Sequence, residues 1–238
     1  MAALSDTVVL ITGASRGLGR ALALAAARKG ASLAICARGG EALEAVAAEC
    51  REHAVEVVAV SADISDARDV ERLAATALEH FGRVDVLVNN AAELGPVPTP
   101  YLSDAPSSAL EHVLQANVVG PLRLTQAVIG GMLLRDRGLV INITTDAAVI
   151  GYAGLGLYSA SKAALDALTR SWAAELTGTH VRVISVDPGD MDTVMHRDAD
   201  PEADPASLAH PEDVAERILT LLAGQLPAAD RIEAATLR

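Results

Sequence analysis

Two side chains four residues apart carry the first chemical signal in the sequence. Tyr158 and Lys162 lie in the run LYSASK, within an alanine- and leucine-rich stretch that we expect to be helical. Four residues make about one helical turn, so both side chains lie on one face of the helix. An ammonium group beside a phenol favours the phenolate and allows a tyrosine to exchange protons near neutral pH. The spacing alone is weak evidence, because a core or interface tyrosine also fits it.

A glycine-rich turn near the amino terminus is the second signal. The run TGASRGLG follows a short apolar stretch and opens a helical one. Glycines let the backbone turn sharply and approach a pyrophosphate, and the first turn of the helix supplies N–H groups to phosphate oxygens. We therefore expect a dinucleotide-binding turn, with a tight turn that binds nothing as the alternative. The candidate cofactor contacts in it are Gly13, Ser15, Arg16, Gly17, Leu18 and Gly19.

The elements that must position these residues alternate along the whole chain. The strand candidates are short runs, nearly all of them continuous and apolar, at 7–11, 32–37, 55–60, 84–88, 139–144 and 181–186. The helix candidates lie at 17–29, 41–52, 66–81, 107–134, 157–176 and 211–223. Strict alternation of such elements predicts a Rossmann-type, doubly wound parallel β-sheet with helices on both faces. We expect a single α/β domain over 1–238, in which 231–238 adds an edge strand and 190–210 forms either a substrate lid or a solvated loop.

Composition excludes several classes of protein. The 238 residues are 51% hydrophobic and carry a net charge of −12, and only 2% are aromatic. Binding to nucleic acid or to an anionic membrane is disfavoured, because both need clustered positive charge. No apolar run is long enough to span a bilayer and no secretory signal is evident, so we expect a cytoplasmic protein. Cys36 and Cys50 have no metal-ligand spacing, and we predict no metal site.

The spacing Thr-Gly-x3-Gly-x-Gly at 12–19 resembles that of the short-chain dehydrogenase/reductase family. The pair Tyr158 and Lys162 matches the family's Tyr-x3-Lys motif, and Thr145 stands 13 positions before the tyrosine, where the family most often has serine. The resemblance implies that Thr145, Tyr158 and Lys162 are catalytic, with Thr144 as second choice for the hydroxyl. It also implies that Asn117 perturbs its helix and supports a proton relay to Lys162 through a water.

The resemblance also indicates which nicotinamide cofactor binds. NAD sites usually have a carboxylate at the end of the second strand, and Ala37 occupies that position here. Arg38 follows it and Arg16 projects from the glycine turn, so two guanidinium groups can hold a 2′-phosphate. We therefore predict NADP(H), with two solvated surface arginines as the alternative. The further cofactor contacts implied by the resemblance are Asp63, Ile64, Asn90, Tyr158, Lys162, Pro188, Gly189 and Thr193, although Asp63 also fits a turn cap.

These features together predict an NADP(H)-dependent carbonyl reductase that works on a small ketone or aldehyde, or on the alcohol in reverse. The alternative is a catalytically inactive NADP(H)-binding regulatory or scaffold protein. The substrate should contact Glu93, Leu94, Thr145, Tyr152 and Tyr158. The resemblance further implies a homodimer or homotetramer that pairs through the helices at 107–134 and 157–176.

Overall fold

The computed structural model describes residues 4–223, 226 and 230–237. Seven parallel strands form one sheet in the order β3-β2-β1-β4-β5-β6-β7. The strands are β1 (Val8–Thr12), β2 (Ser32–Ala37), β3 (Val57–Ser61), β4 (Val86–Asn89), β5 (Gly138–Ile143), β6 (Val181–Asp187) and β7 (Arg231–Glu233). The helices are α1 (Gly17–Arg28), α2 (Gly40–Arg51), α3 (Ala67–Phe81), α4 (Ser107–Leu114), α5 (Gly120–Leu134), α6 (Gly156–Glu175), α7 (Val194–Ala199) and α8 (Pro211–Leu222).

Both faces of the sheet are covered, as the continuous apolar strands predict. In β1, Val9 and Ile11 pack into a layer with α1, α2 and α8, whereas Leu10 packs into the opposite layer with α3 and α5. Successive side chains of a strand point to opposite faces, so a strand that is buried on both faces must be apolar throughout. The predicted doubly wound α/β fold is confirmed, and the tail supplies the edge strand β7, which pairs with β6.

The helix predicted at 107–134 is interrupted. A π-helical turn, Gln115–Val119, separates α4 from α5. Pro121 lacks the N–H group that would bond the carbonyl of residue 117 in a regular α-helix. In addition, Gly120 packs so closely on Ile64 that a Cβ atom there would lie 2.3 Å from the Ile64 carbonyl oxygen. The prediction of one continuous helix is therefore wrong at this turn.

The segment 190–210 contains more regular structure than the sequence indicates. It carries the short helix α7 and a 3₁₀ turn, Pro205–Ser207, and its two ends meet where Met191 bridges Ala209. Thr193 accepts a hydrogen bond from the His196 backbone and caps α7. Its methyl group also faces the glycine turn, since a Cβ on Gly17 would lie 3.4 Å from Thr193 Cγ2.

The strand order places a cleft at one edge of the sheet. The chain winds outward from β1 towards β3 and from β4 towards β7, so the crossover connections diverge between β1 and β4. Ligands of open parallel sheets bind at the carboxyl ends of the strands at such a point. Among the described residues, no helix combines the length and the apolar character needed to cross a membrane.

Candidate active site

One cleft of about 880 Å³ gathers most of the residues that the sequence singles out. Its lining includes Gly13, Ser15, Arg16, Gly17, Leu18, Arg38, Asp63, Ile64, Asn90, Glu93, Leu94, Thr145, Tyr152, Tyr158, Lys162, Pro188, Gly189 and Thr193. Gly19 and Asn117 lie behind the lining. The cleft also contains Asp146 and Asp187, which were not predicted as site residues. From the segment 190–210, which was predicted as a lid or a solvated loop, it contains Asp190, Met191, Asp192 and His196.

The glycine turn is held tightly against the end of β4. Gly13 has a φ of +68°, a conformation that favours glycine. A Cβ on Gly19 would lie 2.3 Å from the Gly13 carbonyl oxygen, so only glycine fits there without a shift. Asn90 Nδ2 donates to the Thr12 carbonyl at 2.8 Å. Within the described chain no side chain caps the start of α1, so its first N–H groups face the cleft and can bind an anion.

The two arginines expected at a 2′-phosphate lie at this end of the cleft. Arg16 is exposed, and Arg38 is 59% exposed and forms an ion pair with Glu93 at 2.5 Å. The sequence placed Glu93 among the substrate contacts, whereas the structure directs its carboxylate to Arg38. The side-chain amide of Asn117 fixes the backbone of Glu93, because it accepts a hydrogen bond from the Glu93 N–H and donates one to the Glu93 carbonyl.

Asp63 lines the same end of the cleft and also caps a turn. Its Oδ1 atom accepts hydrogen bonds from the backbone N–H and the hydroxyl of Ser65, at 2.9 and 2.7 Å. The Asp63 backbone N–H donates to Asp69. Asp63 therefore caps the turn, which was the alternative to a cofactor contact, and it also lines the cleft beside Ile64.

Tyr158 and Lys162 lie side by side on α6, as their spacing predicts. The Lys162 Nζ atom lies 5.6 Å from the centre of the Tyr158 ring and donates to the Ile143 carbonyl at 2.7 Å. Burial lowers the pKa of Lys162 from 10.5 to about 8, although the charge of Asp166 opposes the shift. Burial also raises the pKa of Tyr158, and the charges of Asp187 and Asp146 raise it further. A phenol with this pKa stays protonated until another group stabilises its anion.

Thr145 directs its hydroxyl into the cleft from the end of β5. Its Oγ1 atom accepts from the Ala147 N–H at 3.2 Å and donates to Asp146 at 3.1 Å. The other oxygen of Asp146 accepts from the Tyr152 hydroxyl at 2.5 Å. The neighbouring Thr144 is buried, and among the described residues its hydroxyl finds no partner. Both threonines line the cleft.

Asn117 is fully buried in the π-helical turn and does not reach the cleft. Besides its two bonds to Glu93, its Nδ2 atom donates to the Ser161 hydroxyl at 2.9 Å, and that hydroxyl donates to the Tyr158 carbonyl. The perturbation of the helix that the resemblance implies is present. The side chain itself joins α6 to the end of β4, so Asn117 positions other residues from behind the cleft.

Arg231 is a site-supporting residue that sequence reasoning missed. Its guanidinium donates to Asp187 at 3.0 Å and to the Thr145 carbonyl at 3.1 Å, and it lies 3.4 Å from Asp166. Both carboxylates are nearly buried. The other oxygen of Asp187 accepts from the Gly189 N–H at 3.0 Å. A signal was present in the sequence, because Asp187 directly follows an apolar strand candidate and a buried aspartate needs a nearby cation.

The fold is shared with known proteins. The sequence pattern of the family described as short chain dehydrogenase matches residues 7–204. The chain belongs to the short-chain dehydrogenase family. It is therefore an oxidoreductase, and this family binds nicotinamide cofactors. A solved structure of an alcohol dehydrogenase from the archaeon Thermococcus sibiricus, complexed with 5-hydroxy-NADP, covers 95% of this chain and 94% of its own at a TM-score of 0.83 and 33% identity.

Two curated relatives illustrate the range of the family. A 3-oxoacyl-[acyl-carrier-protein] reductase of Synechocystis sp. is 39% identical over 196 residues, which are 82% of this chain and 78% of that protein. A glycine betaine reductase of Emericella nidulans is 36% identical over 227 residues, or 92% of this chain. This chain spans only 18% of that longer protein.

Proposed function

We propose that the protein is an NADP(H)-dependent oxidoreductase that interconverts a carbonyl compound and an alcohol through acid–base catalysis by Tyr158. The observation that carries the proposal is the pair of Tyr158 and Lys162 at the cleft, within 5.6 Å of each other and on the same edge of the sheet as the glycine turn. One of the two curated relatives is named for a carrier-bound oxoacyl group and the other for glycine betaine. Their names therefore do not define the substrate of this chain or its charge. Pairing of subunits through α5 and α6 stays a prediction.

The residues of the cleft fit a nicotinamide dinucleotide. The glycine turn and the uncapped start of α1 would hold the pyrophosphate, and Asp63 and Ile64 would meet the adenine. Asn90, Lys162, Thr193 and the Pro188–Gly189 segment would hold the rest of the cofactor. Bound there, the cofactor supplies or accepts the hydride.

Tyr158 is the group that moves the proton in this proposal. In reduction its hydroxyl donates a proton to the oxygen of the substrate as negative charge develops there. The Thr145 hydroxyl, which has one proton, turns from Asp146 to donate a hydrogen bond to the same oxygen. The ammonium of Lys162 stabilises the resulting phenolate, which opposes the effects of burial and of the two aspartates on the Tyr158 pKa. Asn117 maintains the position of α6 relative to Glu93.

We infer NADP(H) in preference to NAD(H) from the charge at the adenosine end. Ala37 can neither bond a ribose 2′-hydroxyl nor repel a 2′-phosphate, and two exposed arginines stand beside it. Glu93 holds Arg38 by an exposed ion pair, and such pairs contribute about 1 kcal/mol or less. A phosphate dianion held by two guanidinium groups gains more than this, so Arg38 can exchange partners.

Replacing the phenol tests the proposed chemistry. Tyr158→Phe keeps the ring and removes the transferable proton, so we expect turnover to fall at least about a hundredfold while NADPH affinity stays nearly unchanged. NADPH oxidation over a panel of ketones and aldehydes gives the rate, and quenching of NADPH fluorescence gives the affinity. Tyr101→Phe is the matched control, because Tyr101 is 66% exposed and lies outside the cleft lining. Undiminished turnover in Tyr158→Phe excludes the role, and no turnover by the wild type favours the scaffold alternative.

Reversing one charge tests the cofactor preference. In Arg38→Asp we expect the ratio of kcat/KM with NADPH to that with NADH to fall about tenfold or more, because one charge-assisted contact becomes a repulsion. Arg217→Asp, an exposed arginine of α8, makes the same charge change away from the cleft and should leave the ratio intact. A wild-type enzyme that prefers NADH contradicts the inference.

A further inference from the structure

The substrate end of the cleft carries an unusual amount of negative charge. Apart from Asp200, which is exposed at the end of α7, four aspartates line it within 50 residues of chain, at 146, 187, 190 and 192. Three of them face a basic side chain: Asp187 bonds Arg231, Asp192 bonds Arg197, and Asp190 lies 3.7 Å from His196. Their charges are therefore wholly or partly compensated from within the chain.

Asp146 differs from the other three. Its two oxygens accept hydrogen bonds from the hydroxyls of Thr145 and Tyr152, and both donors are neutral. Within residues 4–223, 226 and 230–237, no basic side chain forms an ion pair with it. The nearest ammonium along the cleft, Lys162, is buried and donates to the Ile143 carbonyl. Among the residues that the structure describes, Asp146 thus presents to the cleft a negative charge that has no basic side chain as its ion-pair partner.

The position of Asp146 ties this charge to the reacting carbonyl. Its Oδ1 atom lies 3.1 Å from the Thr145 hydroxyl, which in the proposed function bonds the oxygen of the substrate. The charge of Asp146 also raises the pKa of Tyr152 and of Tyr158, so it affects both tyrosines that line the cleft. A substrate group close to the carbonyl carbon can therefore meet Asp146.

The ring of Tyr152 completes the surroundings. Tyr152 is held by its bond to Asp146 and is 43% exposed, so an aromatic ring and a carboxylate adjoin at the mouth of the cleft. Cationic nitrogen, including quaternary ammonium, is attracted both by carboxylates and by the faces of aromatic rings. An anionic substrate group at this place would be repelled by Asp146 and gain nothing from the ring.

We propose that Asp146, with Tyr152, selects carbonyl compounds that carry a cationic nitrogen, amine or quaternary ammonium, one or two carbons from the carbonyl. The proposal rests on the proposed function and names the substrate class of that site. The reaction itself is unchanged: the carbonyl carbon gains a hydride from the reduced cofactor and the oxygen gains a proton from Tyr158. The nitrogen takes no part in bond making and serves only for recognition.

Isosteric probes that differ only in charge test the proposal. Choline and 3,3-dimethylbutan-1-ol have the same shape, and so do trimethylammonioacetaldehyde and 3,3-dimethylbutanal. Calorimetric titration of the two alcohols into the protein with NADPH, a pair that cannot react, measures recognition without turnover, and NADPH oxidation with the two aldehydes measures kcat/KM. In the wild type we expect the cation to be favoured about tenfold or more in both measurements, the effect of one charge-assisted contact.

Asp146→Asn removes the charge at constant shape, and we expect the preference for the cation to fall to near one in this variant. Glu71→Gln on the exposed face of α3 makes the same change of net charge and should keep the preference. Equal or tighter binding of the neutral alcohol by the wild type overturns the proposal, with no need for any variant to fold. An unchanged preference in Asp146→Asn overturns it as well. If the cation binds preferentially but neither aldehyde is reduced, the proposed function fails and the selectivity stands.

Discussion

Lys162 has an environment that few lysines tolerate. Its side chain is 1% exposed, and the amine donates to a strand carbonyl beside the ring of Tyr158. Desolvation disfavours the ammonium, which is why its pKa falls from 10.5 to about 8. Near neutral pH the amine is still mostly protonated, so the positive charge required by the proposed chemistry is kept at a cost in folding free energy.

This cost predicts a pH dependence of stability. The folded-state pKa of Lys162 lies below the unfolded one, so between about pH 8 and 10.5 the unfolded chain holds a proton that the folded chain has lost. The contribution of Lys162 to the free energy of unfolding therefore rises with pH across this window, by about 3 kcal/mol in all. Urea unfolding at several pH values, for wild type and Lys162→Met, isolates the contribution. The wild type should show the more positive slope, and equal slopes would contradict the pKa.

At the scale of residues, sequence spacing alone predicted the contacts that helix geometry determines. Tyr158 and Lys162 meet because four residues make one turn of helix, and this holds in any fold. The bond from Glu93 to Arg38 and the pairing of Asp146 with Tyr152 could not be predicted in this way. Arg38 and Glu93 are distant in the chain, and Asp146 and Tyr152 are joined by an irregular segment. Which residues meet therefore depends on the tertiary structure.

At the scale of elements, the short strand β7 reinforces the site from the edge of the sheet. Arg231 at its start reaches α6 through Asp166, the end of β6 through Asp187 and the end of β5 through the Thr145 carbonyl. One guanidinium group thus contacts three separate elements that carry cleft residues. Asp166 and Asp187 are nearly buried, so each needs a nearby cation to remain charged.

We predict that Arg231→Met lowers the free energy of unfolding by about 3 kcal/mol, because it leaves buried carboxylates without a cation. Arg28→Met is the matched control: its exposed pair with Glu216, at 3.0 Å between α1 and α8, should contribute less than about 1 kcal/mol. Adding Asp187→Asn to Arg231→Met should restore part of the loss, since the amide needs no cation. Urea unfolding measures all the variants. Equal losses for the two arginines would show that Arg231 acts only as a surface charge.

The elements themselves were largely readable from the sequence, and the exceptions have a common cause. Most predicted strands are nearly continuous apolar runs, because a strand that is buried on both faces of the sheet needs apolar side chains on both. Periodicity alone did not indicate the π-helical turn at 115–119, because helical periodicity continues through it, and only the resemblance implied that Asn117 perturbs its helix. The proline after Gly120 was the available signal, but the deciding contact is the close approach of Gly120 to Ile64, which only the packed structure reveals.

At the scale of the whole molecule, the cleft draws on both halves of the sheet. Gly13, Arg38 and Asp63 come from the half that contains β1, β2 and β3, whereas Thr145 and Pro188 follow β5 and β6. Within the sheet the two halves adjoin through β1 and β4, at the point where the strand order reverses. A ligand that lies along the cleft therefore contacts both halves and must be released for either half to unfold.

This arrangement predicts that the cofactor stabilises the entire fold. At a concentration of 100 times its Kd, NADPH should add about 2.7 kcal/mol to the free energy of unfolding and raise the Tm by roughly 5–10 °C for a chain of this size. NADH at the same concentration should give a smaller shift, because it lacks the 2′-phosphate that Arg16 and Arg38 would hold. Differential scanning fluorimetry over a range of cofactor concentrations measures both. Gly19→Val provides the control, since a side chain there meets the Gly13 carbonyl and should abolish the shift. A Tm that neither nucleotide moves would contradict cofactor binding in this cleft.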